Sequence, residues 1–165
     1  MASPGPGTFT VRAPSGVWLG SSSSPSITAG HFIDTSTGAY LSSAGAWTDN
    51  SSRALKHDFR PLDSRSVLSR VVRLPISSWS YKAEKPSVRH IGPTAQDFYS
   101  GFRLGLDNRH ITSIDESGVA LAAVQGLYRQ NTALRDENRA LRARLAAQGV
   151  RLARLERAVF GKAAH

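Results

Sequence analysis

The sequence predicts an α+β protein built from three segments, and three observations support this prediction. Turn-forming residues dominate the N-terminal part, a small mixed segment follows, and the C-terminal part carries a heptad repeat of apolar residues. We expect a Gly/Ser-rich β-stalk segment over residues 1–50, a small mixed α/β domain over 51–118 and an oligomerising coiled-coil helix over 119–165. A chain of 165 residues has room for one ordinary domain, or for one small domain with extensions.

The first segment is rich in turn formers, since Ser, Thr, Gly and Pro make up 27 of its 50 residues. Short apolar runs at 8–12, 16–19, 31–33 and 39–41 predict brief strands between the turns. Strands this thin cannot bury a core within one chain, which is typical of a fibrous stalk wound from several chains. The alternative interpretation is a flexible polar tail. His31 stands alone in this segment, with no second ligand at metal spacing.

The middle segment alternates between helical and strand patterns. An amphipathic stretch predicts a helix over 66–74 that ends at Pro75, and residues 76–82 alternate as a strand does. Residues 88–98 predict a strand, a turn and the start of a helix, with Pro93 in the first helical turn. About 65 residues bury too little surface to be stable alone. We therefore expect this segment to associate with sister chains.

The third segment carries the heptad repeat. With Val124 at position a, nine of the twelve a and d positions are apolar, which predicts a coiled coil. Asn131 and Asn138 at a favour a defined register and partner number. Gly126 and Gly149 each cost about 1 kcal/mol relative to Ala, so we expect fraying or a kink near Gly149. The a and d positions together form the seam of the helix: Val124, Asn131, Asn138, Leu145, Leu152 and Val159 at a, and Ala120, Leu127, Leu134, Leu141, Gln148 and Leu155 at d.

The formal net charge of +9 would ordinarily suggest nucleic acid as a partner. Residues 120–165 hold +6 of that charge, and their arginines lie off the heptad seam. A DNA-binding basic zipper carries a block of Arg and Lys before its heptads. In this chain the segment before the heptads, residues 111–118, is short and acidic. We therefore expect no nucleic-acid partner, and a basic helical nucleic-acid binder is the least favoured alternative.

Several classes of site are excluded by residue type. The chain has no cysteine, so a disulfide scaffold, a Cys-ligated metal and a thiol nucleophile are ruled out, and any nucleophile must be a hydroxyl. His57, His90 and His110 have no partner at i+4, so we expect no metal and no cofactor. No apolar run approaches a membrane span, and the N-terminus lacks a basic region followed by an apolar one. We expect neither a membrane span nor a secretory signal.

Two motifs in order carry a family resemblance. The chain reads Ser51-x-Arg53-x-Leu55-Lys56-x-Asp58-Phe59-x-Pro61-Leu62, then Trp79-x-Tyr81, then His90-Ile91-Gly92-x-x-Ala95-Gln96-Asp97, then a coiled coil. This order resembles the intramolecular chaperone auto-processing domain, the peptidase S74 family of phage endosialidases and tail spikes, over roughly residues 46–150. The resemblance implies an intertwined homotrimer whose C-terminal domain templates the folding of the upstream β-stalk and then cuts itself off.

The resemblance also implies a setting for the protein. Phage tail fibres, virions and bacterial fibre-like proteins are the expected locations, and the residues leave the compartment open. A stalk of 50 residues is shorter than the region usual upstream of such a domain, which indicates a fragment or a very short fibre. A protruding arm embraces the unfinished stalk in this family, and the glycine-spaced aromatic run 98–110 is the candidate for it. The alternative for that run is a hairpin that turns at Asp107-Asn108.

The resemblance places autoproteolysis at the Asn50–Ser51 bond, with Ser51 as nucleophile and Lys56 as its base. A serine hydroxyl needs an adjacent base, and a lysine serves only when neutral, which burial beside apolar groups favours. We expect Leu55 and Phe59 to supply such surroundings once a trimer closes over them. Five residues correspond to about 140° around an α-helix. Ser51 should therefore lie in a turn before a helix, with Lys56 reaching back or with the helix beginning around Ser52, and the first amides of that helix are the natural oxyanion donors.

One departure from the family leaves alternatives open. Family members often carry Asp directly after the serine, where this chain has Ser52. Ser52 is then a second candidate nucleophile, or the missing carboxylate slows cleavage. In a non-catalytic interpretation Ser51 or Ser52 is an N-cap and Lys56 is a solvated residue. The corresponding function is a non-cleaving structural trimerisation cap of a fibre.

His90 allows a second catalytic interpretation. Together with Asp58 or Asp97 it would form a Ser-His-Asp arrangement, which recurs on unrelated folds. The resemblance instead favours a structural role for His90, Gly92 and Gln96 in the fold and in trimer contacts.

Overall fold

The structure is a computed structural model that describes residues 11, 13–21 and 26–160. The chain divides into two compact units, Met1–Arg60 and Pro61–His165. The predicted strand over 8–12 lies outside the described residues, Val11 excepted. The domain boundaries at 50/51 and 118/119 stay predictions, because compact units and functional domains need not coincide.

The first unit contains a small sheet of short strands. In the described residues the strand order is β1 (Val17–Leu19), β2 (His31–Thr35), β3 (Tyr40–Ser42) and β4 (Trp47–Thr48). β1 pairs with β2 in parallel, and the other neighbours are antiparallel. Three of these strands fall where apolar runs predicted them, so the α+β class is confirmed and the tail interpretation is wrong for this region.

This sheet does not bury a core. None of its described residues is buried, and large side chains such as Leu19, Phe32 and Trp47 are exposed. Covering such side chains with other chains would bury apolar area, which is favourable. The sheet thus lacks a core of its own in the described residues, and its place in a stalk of several chains stays a prediction.

The second unit begins with two capped helices. Helix α1 (Ser64–Arg73) starts after Asp63, whose Oδ1 accepts a hydrogen bond from Arg65 N at 3.1 Å, and it ends before Pro75 as predicted. Helix α2 (Ala95–Phe102) starts after Thr94, whose hydroxyl accepts from Asp97 N at 3.2 Å. Pro93 therefore precedes the cap and is not in the first helical turn. A proline is tolerated there because its position needs no amide donor.

Strands β5 (Ser77–Trp79) and β6 (His90–Gly92) pair antiparallel in the second unit. β5 is shorter than the predicted strand over 76–82. The chain turns between the two strands, where Glu84 N donates to Tyr81 O at 3.0 Å.

Aromatic residues of the run 98–110 lie in the core. Phe98 and Phe102 are buried on α2 with ring centroids 5.1 Å apart, so the first part of the run is a core helix and not an arm or a hairpin. Residues 103–112 form an irregular connection to α3 (Ser113–Phe160). The core cluster comprises Val67, Phe98, Phe102, Val119 and Ala122, with Val71, Leu74 and Ile111 packed against it.

Helix α3 is continuous over 48 residues. The helix passes through Gly149 without a break in its secondary structure, and the fraying or kink expected there stays a prediction. Gly126 has a packing role, because a Cβ there would collide with Ser64 O and would approach Leu68 Cβ to 2.9 Å. A residue without a side chain thus lets α3 approach the backbone of α1 closely.

Helix α3 uses one face within the chain and leaves another uncovered. Its buried residues Val119, Ala122, Ala123 and Gly126 are spaced three and four apart and belong to the α1-facing side. None of the heptad a and d residues is among these buried ones, although Leu127 and Leu134 at d also border a groove beside α1. From Val124 to Val159 the large apolar members of that seam are exposed. The long helix therefore presents an apolar stripe that the described part of the chain does not cover.

Candidate active site

The backbone around Ser51 places two distant side chains together. After β4 the chain runs through Asn50 and Ser51 without regular secondary structure, and a single 3-10 turn follows over Arg53–Leu55. Lys56 leaves this turn with an extended backbone (φ −125°, ψ 148°). The expected α-helix is replaced by one tight turn, so the 140° separation of a regular helix does not apply. The Lys56 side chain instead reaches back to Ser51.

Lys56 Nζ donates a hydrogen bond to Ser51 Oγ at 2.6 Å. This is the contact that a serine–lysine pair needs for proton transfer. The Ser52 hydroxyl has a structural role, because its Oγ accepts a hydrogen bond from Ala54 N at 3.3 Å and caps the turn. The geometry therefore favours Ser51 over Ser52 as the nucleophile, and assigns the N-cap role to Ser52.

Asn50 is held on both sides of the bond that follows it. Its Oδ1 accepts from Ser52 N at 3.3 Å, and its Nδ2 donates to Thr37 O at 3.4 Å. Thr37 belongs to the turn between β2 and β3, where Gly38 lies in the left-handed region at φ +80°. A Cβ on Gly38 would stand 2.5 Å from Asn50 Nδ2. The side chain before the candidate cleavage bond thus packs on a turn of the sheet.

The apolar residues beside Lys56 do not bury it within one chain. Leu55 is 62 % exposed and Phe59 is 56 % exposed, and Lys56 itself is exposed. Phe59 instead receives the guanidinium of Arg53, which lies 4.4 Å from the ring centroid. Burial of Lys56 by these residues stays a prediction that depends on assembly.

The amides of the turn are largely engaged. Ala54 N bonds Ser52 Oγ, Leu55 N donates to Ser52 O at 3.1 Å, and Lys56 N donates to Arg53 O at 3.1 Å. These donors hold the turn, so they are not free to bind an oxyanion while it is intact. The expectation that the first helical amides act as oxyanion donors is therefore wrong for these three.

His90 is held in an aromatic cluster of the second unit. Its ring stacks on Trp79 with centroids 4.8 Å apart and meets Tyr81 edge-on at 5.3 Å. Its Nε2 lies 2.9 Å from Glu84 Oε2. Glu84 was not singled out from the sequence, where its only signal is a position in the turn between two predicted strands. Gly92 and Gln96 line a cleft of about 440 Å³ beside Trp79 and Tyr81.

The acids considered for a Ser-His-Asp arrangement have other partners. Asp58 Oδ2 lies 2.8 Å from His57 Nδ1, and Asp97 Oδ2 accepts from the Thr94 hydroxyl at 2.7 Å. The acid at His90 is Glu84, so the structure supports the packing role for this histidine. Among the described residues, no cluster of three or more His, Asp or Glu side chains is arranged to hold a metal ion.

The serine–lysine contact brings a hydroxyl and an amine within hydrogen-bond distance, and these are the two groups that a hydrolase with a hydroxyl nucleophile and an amine base requires. Residues 51–102 match the family model of peptidase S74, described as chaperone of endosialidase. The matched region starts at Ser51. No curated protein and no solved structure matches the chain significantly. In the described residues, no helix combines the length and apolar character needed to cross a membrane.

Proposed function

We propose that the protein is a homotrimeric intramolecular chaperone that assists folding of its upstream β-stalk and releases itself by one cleavage between Asn50 and Ser51. The observation that carries this proposal is the 2.6 Å contact between Lys56 Nζ and Ser51 Oγ at the first residue of the family match. The partners in this proposal are sister chains and the stalk of the same polypeptide. A phage tail fibre or a bacterial fibre-like protein is the proposed setting.

The chemistry follows from the position of the serine directly after the cleaved bond. Neutral Lys56 takes the proton of the Ser51 hydroxyl, and Oγ attacks the carbonyl carbon of Asn50. The C–N bond breaks, the Ser51 nitrogen takes the proton back from the lysine, and Asn50 is left as an ester on Ser51 Oγ. Water hydrolyses this ester to a free Asn50 carboxylate and a restored serine. Each chain cuts itself once.

A lysine in water is protonated at neutral pH. To act as a base it needs a less solvated, more apolar environment than the single chain supplies. Leu55 and Phe59 are exposed around Lys56 and are suited to pack against sister chains. Assembly would then create the base and bury apolar area in the same step. Cleavage would follow folding, which suits a chaperone that must not leave early.

The uncovered seam of α3 supports the trimer. Leu127 and Leu134, both at d, also line an apolar groove of about 620 Å³ between α1 and α3, together with Leu68 and Val72. A helix from a sister chain has the shape and chemistry to occupy such a groove. The basic residues of α3 lie off this seam, and we include no nucleic-acid partner in the proposal.

A non-cleaving trimerisation cap is the second candidate. The observation that favours it is the exposure of Lys56 together with Ser52 in place of the usual Asp. Both candidates share the trimer and the folding role, and they differ only in whether the Asn50–Ser51 bond is cut.

Intact-mass measurement during refolding from denaturant separates the two. We expect a fragment that starts at Ser51 to accumulate in the wild type, and to be absent in Ser51→Ala and Lys56→Ala. Lys82→Ala removes an exposed lysine elsewhere and Ser52→Ala removes the neighbouring hydroxyl, and both should still cleave. Full-length 17.8 kDa chains as the sole product of a correctly assembled wild type would establish the cap instead.

A further inference from the structure

We propose that Asn50 is a positioning residue that makes cleavage conditional on formation of the β2–β3 turn. This inference rests on the proposed function and deepens it, because it names the part of the stalk that the cleavage site senses. Asn50 contributes the carbonyl that is attacked, and the same residue's side chain packs on the turn. One residue thus connects the state of the sheet to the geometry of the reaction.

The contacts of Asn50 straddle the scissile bond. Upstream, its Nδ2 donates to Thr37 O in the turn, and downstream its Oδ1 accepts from Ser52 N. The side chain and the attacked carbonyl share the Asn50 Cα. Because the side-chain amide of Asn50 is hydrogen-bonded through both its nitrogen and its oxygen, the backbone carbonyl of Asn50 is restricted in the direction it presents to Ser51 Oγ.

The turn that holds Asn50 exists only when the hairpin is closed. Gly38 N donates to Thr35 O at 3.0 Å, and Thr35 N donates to Ala39 O at 3.0 Å. These bonds set the position of the Thr37 carbonyl and of the Gly38 backbone, over which the Asn50 side chain packs. If the hairpin opens, both the acceptor for Asn50 Nδ2 and the surface beneath it are lost.

Small displacements of reacting atoms have large effects on rate. A misplacement of about 1 Å can cost on the order of 100-fold in a reaction that depends on orientation. A chain whose hairpin is unformed would hold Ser51 near Lys56 through local contacts alone, and the Asn50 carbonyl would be unrestrained. Cleavage would then wait for the β2–β3 turn to fold.

The chain contains a matched control for this idea. The β3–β4 turn repeats the pattern, with Gly45 N donating to Ser42 O at 2.9 Å and Ser42 N to Ala46 O at 2.9 Å. Gly38 and Gly45 share φ +80°, so alanine strains both backbones alike. Only Gly38 faces Asn50, since nothing lies within 4 Å of a Cβ on Gly45.

The experiment measures the rate at which the Ser51 fragment appears during refolding, with sheet content and trimer fraction recorded for each variant. We expect Gly38→Ala to slow cleavage about 10- to 100-fold and Gly45→Ala to stay within about twofold of wild type. Asn50→Ala should slow cleavage as Gly38→Ala does. Asn50→Asp keeps the acceptor for Ser52 N but loses the donor to Thr37 O, and should fall between Asn50→Ala and wild type.

A double-mutant comparison separates positioning from simple strain. In an Asn50→Ala background the added Cβ at Gly38 no longer meets an amide, so Gly38→Ala should cause no further slowing. Equal rates for Gly38→Ala and Gly45→Ala would overturn the inference, as would an undiminished effect of Gly38→Ala in the Asn50→Ala background. If Gly38→Ala fails to fold, a folded Asn50→Ala that cleaves at the wild-type rate overturns it. A wild type that assembles without cleaving refutes the proposed function itself.

Discussion

At the scale of single residues, the thin sheet is held by local polar contacts. Asp34 accepts a hydrogen bond from Thr28 N at 2.8 Å and contacts His31 Nδ1 at 2.6 Å, and His31 stacks on Tyr40 with centroids 3.6 Å apart. The Thr28 amide first, and His31 second, lower the pKa of Asp34 below its ordinary value. His31, which has no metal partner at sequence spacing, thus has a carboxylate partner three residues later.

The lowered pKa of Asp34 predicts a loss of stability in acid. Because the carboxylate is favoured in the folded protein, its contribution is fully present above the ordinary aspartate pKa of about 3.9 and is lost as the pH falls through the lower folded value. We expect the unfolding temperature to fall less steeply below about pH 4 in Asp34→Asn than in wild type. Thermal unfolding followed by circular dichroism at successive pH values measures this difference.

Asp49→Asn removes the same charge from the same unit, and so accounts for the change in net charge. An equally steep acid dependence in Asp34→Asn and wild type would contradict the assignment.

At the scale of elements, most boundaries follow from local chemistry. Helix α1 has a capping Asp63 before it and Pro75 after it, and its position was predictable for that reason. The run 98–110 was misread because Gly101 and Gly105 interrupt the apolar pattern, whereas Phe98 and Phe102 alone, four residues apart, define one helical face. An i, i+4 pair of aromatics was the available signal.

The site could be predicted only in part for a physical reason. A family resemblance predicted the pairing of Ser51 with Lys56. The five-residue spacing adds only that the two residues cannot face each other on one regular α-helix. The tight turn capped by Ser52 satisfies that requirement. The contact between Asn50 and the β2–β3 turn depends on the register of β3 with β4, which turn signals alone do not fix. Similarly, Glu84 meets His90 only because β5 pairs with β6.

The two glycines of α3 predict opposite effects of alanine. Gly126→Ala should destabilise the protein by about 1–3 kcal/mol, because the added Cβ would collide with Ser64 O at the crossing of α1 and α3. Gly149→Ala should stabilise it by about 1 kcal/mol, because nothing lies within 4 Å and the helix gains propensity. Denaturant unfolding monitored by helical signal measures both changes, and stabilisation by Gly126→Ala would refute the close approach of the helices.

At the scale of the whole molecule, the chain leaves apolar surface exposed in both units. The sheet has no buried described residue, and the seam of α3 is uncovered along its length. The core of the second unit uses other residues of α3, namely Val119 and Ala122. Exposed apolar area that follows a heptad repeat is typical of an interface between helices, and in the proposed trimer Asn131 and Asn138 would favour a defined register and partner number.

The seam can be tested with two residues that are both exposed in the single chain. Leu141, at d, is 46 % exposed, and Val150, off the seam, is 67 % exposed. In a Ser51→Ala background, which keeps every chain intact, Leu141→Asp should abolish the trimer, because a coiled-coil interior has no partner for the charge. Val150→Asp should leave it unchanged. Sedimentation equilibrium measures this as loss or retention of three times the 17.8 kDa chain mass.

The same pair tests the dependence of cleavage on assembly when Ser51 is restored. Leu141→Asp should then accumulate uncut chains during refolding, because loss of the trimer would prevent the packing proposed to shield Lys56 from water. Val150→Asp should cleave as wild type does. Cleavage by a monomeric Leu141→Asp chain would show that one chain completes the site alone. The base would then have to be created without sister chains, and the exposure of Leu55 and Phe59 would need a different explanation.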